Sequence, residues 1–200
     1  MNRGINKPDR SQKEDELLIR DFLADDIRAF DRIVNKYKDM VFNLCYRILS
    51  DYDEADDCSQ ETFIKVYNNI KNFRFQSSFL TWLYRIAVNT CKNRLSSRQS
   101  RLNKSFLKIG NPSEDNRDPL EIGDRSFDPE VLFEKNEQKR QIDRAIESLP
   151  AELRILIILR DLEDRSYEDI SEITGVNIGT VKSRLARARS QLRDSLRGVL

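Results

Sequence analysis

Two hundred residues, 38% hydrophobic and 34% charged, describe a folded, helix-rich chain of one or two domains. The absence of histidine excludes a His-dependent triad, a His general base and a His metal site, so neither catalysis nor a metal or other cofactor is expected. The formal net charge of +1 conceals segregated blocks: residues 51–61 hold six acids and no base, 71–108 nine bases and no acid, and 111–135 eight acids against three bases, which suits more than one partner or the masking of one surface by another.

Residues 1–13 are polar, contain Gly4 and Pro8 and lack periodicity, so a mobile tail is expected there. Leu17, Leu18, Phe22 and Leu23 then suggest a short helix. Ile27, Phe30, Ile33, Val34, Tyr37, Val41, Leu44, Cys45 and Ile48 trace one long amphipathic helix. No Gly or Pro occurs between Pro8 and Gly110, so nothing interrupts this helical half.

A third helix is expected from about 51–53, where carboxylates complement the helix dipole, to about Ile70. Its inward face is read as Ala55, Cys58, Phe63, Val66, Tyr67 and Ile70. The outer side then carries Asp56, Asp57, Gln60, Glu61 and Ile64, which from this helix alone is either an ordinary solvated face or a docking patch. Cys45, Cys58 and Cys91 show no close paired spacing of zinc or redox type and sit in apolar helical patterns, so they read as small buried hydrophobes in a reducing compartment.

Residues 71–101 interleave Phe73, Phe75, Phe79, Trp82 and Tyr84 with Arg74, Arg85, Lys92, Arg94 and Arg98, without an acid. Rings beside cations suit single-stranded nucleic acid, because bases stack on the rings while cations follow the backbone. Phe79, Leu83, Ile86, Ala87 and Thr90 form the expected buried stripe, and at least half of the aromatics are expected in the core. The loop 72–78 and the polar positions Arg85, Asn89, Lys92 and Asn93 remain for DNA.

Residues 101–127, with Gly110, Pro112, Pro119, Gly123 and many acids, read as a flexible acidic linker that either masks basic faces, occupies a polymerase channel or is simply solvated. From Pro129 a helical pattern returns with Val131, Leu132, Ile142, Ala145, Ile146 and Leu149, and Pro150 opens a further helix whose core is Leu153, Leu156, Ile157 and 159–162. Ser166 and Asp169 make a capping-box start for a short helix bearing Ile170 and Ile173, which Gly175 ends.

A longer helix is expected from near Thr180, with Val181, Leu185, Ala188, Leu192 and Leu196 on one face. Between 177 and 197 six basic residues oppose the single Asp194. This is a helix-turn-helix pattern. Thr180, Ser183 and Arg187 fall opposite the apolar stripe, with Lys182 and Ala186 on one flank, and are candidates for base contacts, while Arg184, Arg189 and Arg193 suit phosphates. The longest apolar run, 155–159, is far too short to cross a bilayer, and no signal-peptide core opens the chain, so a cytoplasmic protein without membrane insertion is expected.

Residues 55–67 (ADDCSQETFIKVY), 77–95 (SSFLTWLYRIAVNTCKNRL) and 147–189 resemble, in that order, the signature stretches of bacterial extracytoplasmic-function sigma factors of the sigma-70 family. The resemblance implies an all-α fold of two small helical domains: 14–100, which binds core RNA polymerase and reads and opens the -10 element, and 128–200, a helix-turn-helix domain reading the -35 element. Carried over by position, it implies polymerase binding at Asp56, Asp57, Gln60, Glu61 and Ile64. It implies -10 contacts from Arg74, Phe75, Gln76, Ser77, Ser78, Arg85, Asn89 and Lys92, and -35 contacts from Thr180, Lys182, Ser183, Ala186, Arg187 and Arg189. Phe75 and Gln76 stand where members often carry small or acidic residues. Implied partners are core RNA polymerase, double- and single-stranded promoter DNA and an anti-sigma factor, with a monomer when free. The alternatives are a stand-alone helix-turn-helix regulator, for which 14–100 lacks ligand-pocket glycines, and a nucleic-acid enzyme, which the missing histidines disfavour.

Overall fold

The computed structural model describes residues 10–106 and 129–197. All regular structure among them is helical: α1 (Arg10–Leu23), α2 (Ile27–Leu49), α3 (Tyr52–Asn69), α4 (Phe79–Phe106), α5 (Pro129–Ser148), α6 (Ala151–Ile157), α7 (Tyr167–Thr174) and α8 (Ile178–Ser195). A 3-10 turn, Ile70–Asn72, follows α3, and a π-helical turn, Ile158–Leu162, continues α6. The all-α class read from periodicity is therefore the observed one. Of the expected tail 1–13 and linker 101–127, residues 1–9 and 107–127 lie outside the described residues; 10–13 and 101–106 are helical instead, because α1 already begins at Arg10 and α4 runs on to Phe106.

Short polar turns fix the first half. Asp26 accepts from the Arg28 N–H at 3.1 Å and starts α2. Ser50 ends it in the left-handed region, φ 55°, with its N–H donating to Tyr46 O at 2.8 Å. Asp51 then caps α3 by accepting from Glu54 N at 3.0 Å. Two residues thus reverse the chain, and α2 packs antiparallel on α3. Ile33, Val41, Leu44, Cys45 and Ile48 of α2 are fully buried, and each of the large aliphatic ones contributes about 1.5–3 kcal/mol by leaving water.

Several expectations of facing are corrected. Ile27 is exposed, because the inward register of α2 begins at Ala29. On α3 the buried set is Ala55, Cys58, Ser59, Thr62, Val66 and Ile70, whereas Tyr67 lies at the surface with its ring edge against Phe22 and Phe30 at 5.4 and 5.1 Å. Thr62 tolerates burial because its hydroxyl donates to Cys58 O at 2.7 Å. Ile142 and Leu162 are exposed, the latter because the π turn rotates it out of the α6 stripe. The side chains expected inward at Val131 and Leu132 lie outside the described part of α5.

The two halves meet. α4 packs along α7, and α2 touches α6, so buried residues from Leu18 to Ala188 form one apolar cluster. Arg154 ties the seam by donating to Ile48 O at 3.0 Å and Leu149 O at 3.3 Å. Glu163 crosses it, pairing with Arg47 and accepting from the Tyr84 hydroxyl at 2.6 Å.

Candidate nucleic-acid interface

The helix-turn-helix forms as its capping residues dictate. Ser166 Oγ accepts from Asp169 N at 3.0 Å while Asp169 Oδ2 accepts from Ser166 N at 3.3 Å, closing the capping box of α7. Gly175 takes φ +71° and donates to Ser171 O at 3.0 Å, a backbone conformation that costs a residue with a Cβ about 1 kcal/mol or more. Asn177 Oδ1 accepts from Thr180 N at 2.9 Å, so α8 starts at Ile178, two residues before the expected Thr180. Val181, Leu185 and Ala188 are buried, which fixes the rotation of α8 about its axis.

That rotation turns Lys182, Ser183, Ala186 and Arg187 to solvent, with Thr180 half-buried at the first turn. Lys182 Nζ lies 5.6 Å from the centre of the Tyr167 ring. Arg187 makes no ion pair among the described residues. Arg189 differs from its neighbours: its guanidinium binds Asp161 through two bonds, 2.6 and 3.2 Å, and the hydrogen bonding and charge of Asp161 raise its pKa. Arg184 pairs with Glu152 at 2.8 Å. Two of the expected phosphate or base ligands are thus held by the protein's own acids.

In the first half, Phe73, Phe79, Trp82 and Tyr84 are buried, with the Phe73 ring 6.0 Å from Phe79 and 5.2 Å from Trp82. Phe75 alone of the five aromatics is exposed, at φ 55°, packed against Phe73 at 4.9 Å and covered on one face by Arg20 at 6.0 Å. Arg74 and Gln76 flank it in solvent. Ser77 and Ser78 are half-buried, and the Oγ of Ser78 accepts from Thr81 N at 3.0 Å and so caps α4.

Arg85 and Asn89, one turn apart on α4, line a cavity of about 450 Å³. Trp82 and Ile86 supply its apolar lining, with Lys65, Asn69, Asn72 and Thr90 as polar neighbours. Lys65 donates to Thr90 Oγ1 at 3.1 Å. Asn72 belongs to the loop that the sequence leaves for DNA, whereas the sequence reading missed Lys65 and Asn69; the available signal was that these two repeat at the same four-residue interval as Arg85 and Asn89. Lys92 is not brought to this cavity. It shares the azimuth of Arg85, but α6 packs against α4, and Lys92 instead lines a second cavity, about 590 Å³, with Glu152, Arg154 and Arg184. Burial there lowers its pKa.

On α3, Asp56, Asp57, Gln60 and Ile64 are exposed and Glu61 half-buried. Gln60 donates to Asp56 at 2.9 Å. Glu61 pairs with Lys65 at 2.8 Å, and Arg94 of α4 spans Asp57 at 3.6 Å and Glu61 at 3.9 Å.

A basic helix-turn-helix, packed against a helical domain with an exposed ring and a polar cavity, is the framework of a two-part DNA-binding protein. Sigma-70 region 2 matches residues 33–101 and sigma-70 region 4 matches 139–192. The chain belongs to the extracytoplasmic-function sigma factors of the sigma-70 family, the class that directs transcription initiation. It is 37% identical over 194 residues to the RNA polymerase sigma-H factor of Pseudomonas aeruginosa, covering 95% of this chain and 97% of that one. It is 36% identical over 197 residues to the ECF RNA polymerase sigma-E factor of Escherichia coli, covering 94% and 97%. Among solved structures it resembles the sigma factor RpoE in complex with the anti-sigma factor NepR from Bartonella quintana, with TM-score 0.65 and 26% identity over 86% of this chain and 98% of that one. CnrH in complex with the cytosolic domain of CnrY shares the fold, with TM-score 0.63 and 18% identity over 92% and 98%. No helix among the described residues is long and apolar enough to cross a membrane.

Proposed function

We propose that this sigma factor acts in the cytoplasm by delivering core RNA polymerase to promoters through three surfaces, without chemistry of its own. α8 reads the -35 element in the major groove, with Lys182, Ser183, Ala186 and Arg187 on base edges and Thr180 at the groove entrance. Arg189 stays on Asp161 and contributes positive field, and Arg193 holds phosphate. The outer face of α3 (Asp56, Asp57, Gln60, Glu61 and Ile64) docks on polymerase, with the exposed Ile64 supplying the apolar contact.

The observation that carries the -10 assignment is the cavity at Arg85 and Asn89. Its volume falls within the range of small-ligand sites, an indole lies in its wall, and Arg85, Lys65 and three asparagines furnish donors and acceptors around it. An unpaired base costs a few kcal/mol to extrude and needs such a pocket to offset that cost. Phe75, with Arg74 and Gln76 beside it, offers a ring at the surface for a neighbouring base to stack on. Ser77 and Ser78 act by holding that loop on α4, and Lys92 serves the seam between the halves rather than DNA. An anti-sigma protein is the remaining partner, supported by the complex in which the RpoE neighbour was solved.

The test is transcription with purified core polymerase on a promoter library, with and without this protein. Transcripts that depend on it, sharing -35 and -10 sequences, are expected; tight promoter binding by the free protein with no dependent transcript would establish a stand-alone regulator instead.

A further inference from the structure

The seam between the halves encloses the cavity of about 590 Å³, walled by α2, α4, α6, α7, the turn that follows it, and α8. Helices from both halves gather charge there that lies scattered in the sequence. Lys92 and Arg98 of α4, Arg154 of α6 and Arg184 of α8 bring four cations to the lining, and Glu152 is its single acid. Leu49, Leu95, Ile155, Leu156 and Val176 add apolar surface.

Like charges collect in a partly buried space at a cost that an anion offsets. The protein supplies little of that offset. Glu152 is engaged by Arg184 at 2.8 Å, and the half-buried Lys92 makes no hydrogen bond or ion pair among the described residues. Arg154 Nη1 donates to Ile48 O at 3.0 Å, and its Nη2 donates to the carbonyls of Leu149 and Glu147. Its guanidinium thus meets carbonyls rather than a carboxylate, and its buried Nε–H has no acceptor among the described residues. A buried donor without a partner is uncommon in a folded chain, and an ion is one of the things that accounts for it. Burial lowers the pKa of Lys92, Glu152 opposes this and Arg184 adds to it. Burial lowers that of Arg154 too, opposed by Glu147 and reinforced by Arg98.

Guanidinium groups present paired donors that match phosphate oxygens, and an ammonium adds a compact charge. One phosphate monoester carries about two negative charges at neutral pH, less than the surplus of three positive charges in this lining; two linked phosphates match it. The volume lies within the range of small-ligand sites, and the apolar lining gives a ring a place beside the phosphates. We propose that the seam cavity binds a nucleotide through its diphosphate, at a point where the ligand bridges the two halves. Lys92 holds the phosphates from the first half and Arg184 from the second, with the fields of Arg98 and Arg154 behind them. The Arg184 pair with Glu152 is partly exposed and therefore weak, so the guanidinium is free to turn to a phosphate.

A ligand held by α4 on one side and by α8 on the other binds only while the halves are packed, so it favours that arrangement by its whole binding free energy. It therefore opposes any polymerase-bound form in which the halves separate. That consequence rests on the reading of the two halves as readers of separate promoter elements; the nucleotide site does not.

The experiment titrates the full chain with inorganic phosphate, pyrophosphate, ADP and GDP by calorimetry in metal-free buffer at about 0.15 M salt. ADP or GDP is expected to bind once per chain, severalfold more tightly than pyrophosphate and at least about tenfold more tightly than phosphate. Lys92→Met, which keeps the apolar stem, should lose about tenfold in nucleotide affinity, the value of one charge-assisted bond. Glu152→Gln should gain severalfold, a change that damage to the fold does not produce. Lys38→Met, an exposed cation of α2 outside the cavity, should leave the affinity unchanged. Nucleotide binding no tighter than that of phosphate or pyrophosphate, equal losses in Lys92→Met and Lys38→Met, or weaker binding by Glu152→Gln would overturn the proposal. Saturating nucleotide should also weaken core polymerase binding severalfold in the wild type and not in Lys92→Met. Cavity-dependent nucleotide binding with polymerase affinity unchanged would uphold the site and overturn the separation of the halves on polymerase.

Discussion

Glu163 is the side chain whose loss should be felt in both halves at once. It caps the π turn after α6, its carboxylate is 12% exposed, and its two partners, Arg47 and Tyr84, belong to the first half. Arg165 lies over the Tyr84 ring at 4.9 Å and keeps water from it. Tyr84 is 1% exposed, so Glu163→Ala strands a buried hydroxyl, a loss of about 1–3 kcal/mol. Arg47 is 42% exposed; it returns to water, and its pair contributes about 1 kcal/mol or less. The expected destabilisation is roughly 1–4 kcal/mol. Tyr84→Phe leaves Glu163 on Arg47 and should cost about 1–2 kcal/mol. Urea unfolding of the wild type, both single variants and the double variant gives the coupling, expected at about 1–2 kcal/mol. Additivity within about 0.5 kcal/mol would refute the bridge. The same contact predicts a pH dependence. Burial and the hydrogen bond to Glu163 raise the Tyr84 pKa above its ordinary 10.0. The protonated phenol is therefore favoured by folding: its contribution is complete below about pH 10 and is lost as pH rises through the folded value. Tyr84→Phe should flatten that alkaline loss in part, with Tyr37, raised by burial and by Asp15, supplying the remainder.

Under the proposed reading, Arg187→Ala should weaken holoenzyme binding to a promoter by about 1–3 kcal/mol and relax the preference at one -35 position. Arg193→Ala should instead lower affinity for all sequences and reduce the salt slope by about one; equal losses for both variants on every sequence would misplace the groove-facing side of α8. Charge reversal by Asp57→Lys with Glu61→Lys should abolish core polymerase binding while lowering urea stability by only about 1–2 kcal/mol, from the loss of weak, partly exposed pairs and the new like-charge neighbours Lys65 and Arg94. Unchanged polymerase affinity would take both residues out of that surface.

Helix existence was legible wherever apolar spacing and capping chemistry agreed. Ser166, Asp169, Gly175 and Asn177 specify α7 and α8 locally, and each makes the bond its side chain or backbone suggests. Facing was less legible where a residue is amphipathic: Tyr67 reads as core yet keeps one edge in water, and Thr62 reads as polar yet satisfies itself within its own turn. The π turn has no sequence mark, and by adding a residue to the turn it moves Leu162 outward. Relations between helices were not legible at all. Nothing local says that Lys65 and Asn69 face Arg85 and Asn89, or that Asp161 captures Arg189, because those juxtapositions depend on helix crossings that distant core residues determine.

The contact between α4 and α7 bears on how the two readers reach one promoter. Elements named for positions -35 and -10 lie about 25 base pairs apart, roughly 85 Å of duplex at 3.4 Å per pair. α4 itself spans only about 42 Å at 1.5 Å per residue, and α7 lies against it. Under the proposed reading, two readers in this arrangement span too little of a straight duplex to occupy both elements, so promoter recognition is expected to part the halves. Residues 107–128 reach at most about 75 Å when fully extended, which permits that separation when the breadth of each half is added. Parting breaks the Glu163 bridge to Arg47 and Tyr84 and the Arg154 bond to Ile48. A bridge of about 2 kcal/mol is roughly a thirtyfold bias toward the packed state. Glu163→Ala removes that bias, so the variant should unfold more easily and yet bind core polymerase more tightly, by as much as about thirtyfold. Weaker stability accompanied by weaker polymerase binding would show that the seam is part of the bound form and that the readers reach the promoter by bending the DNA instead.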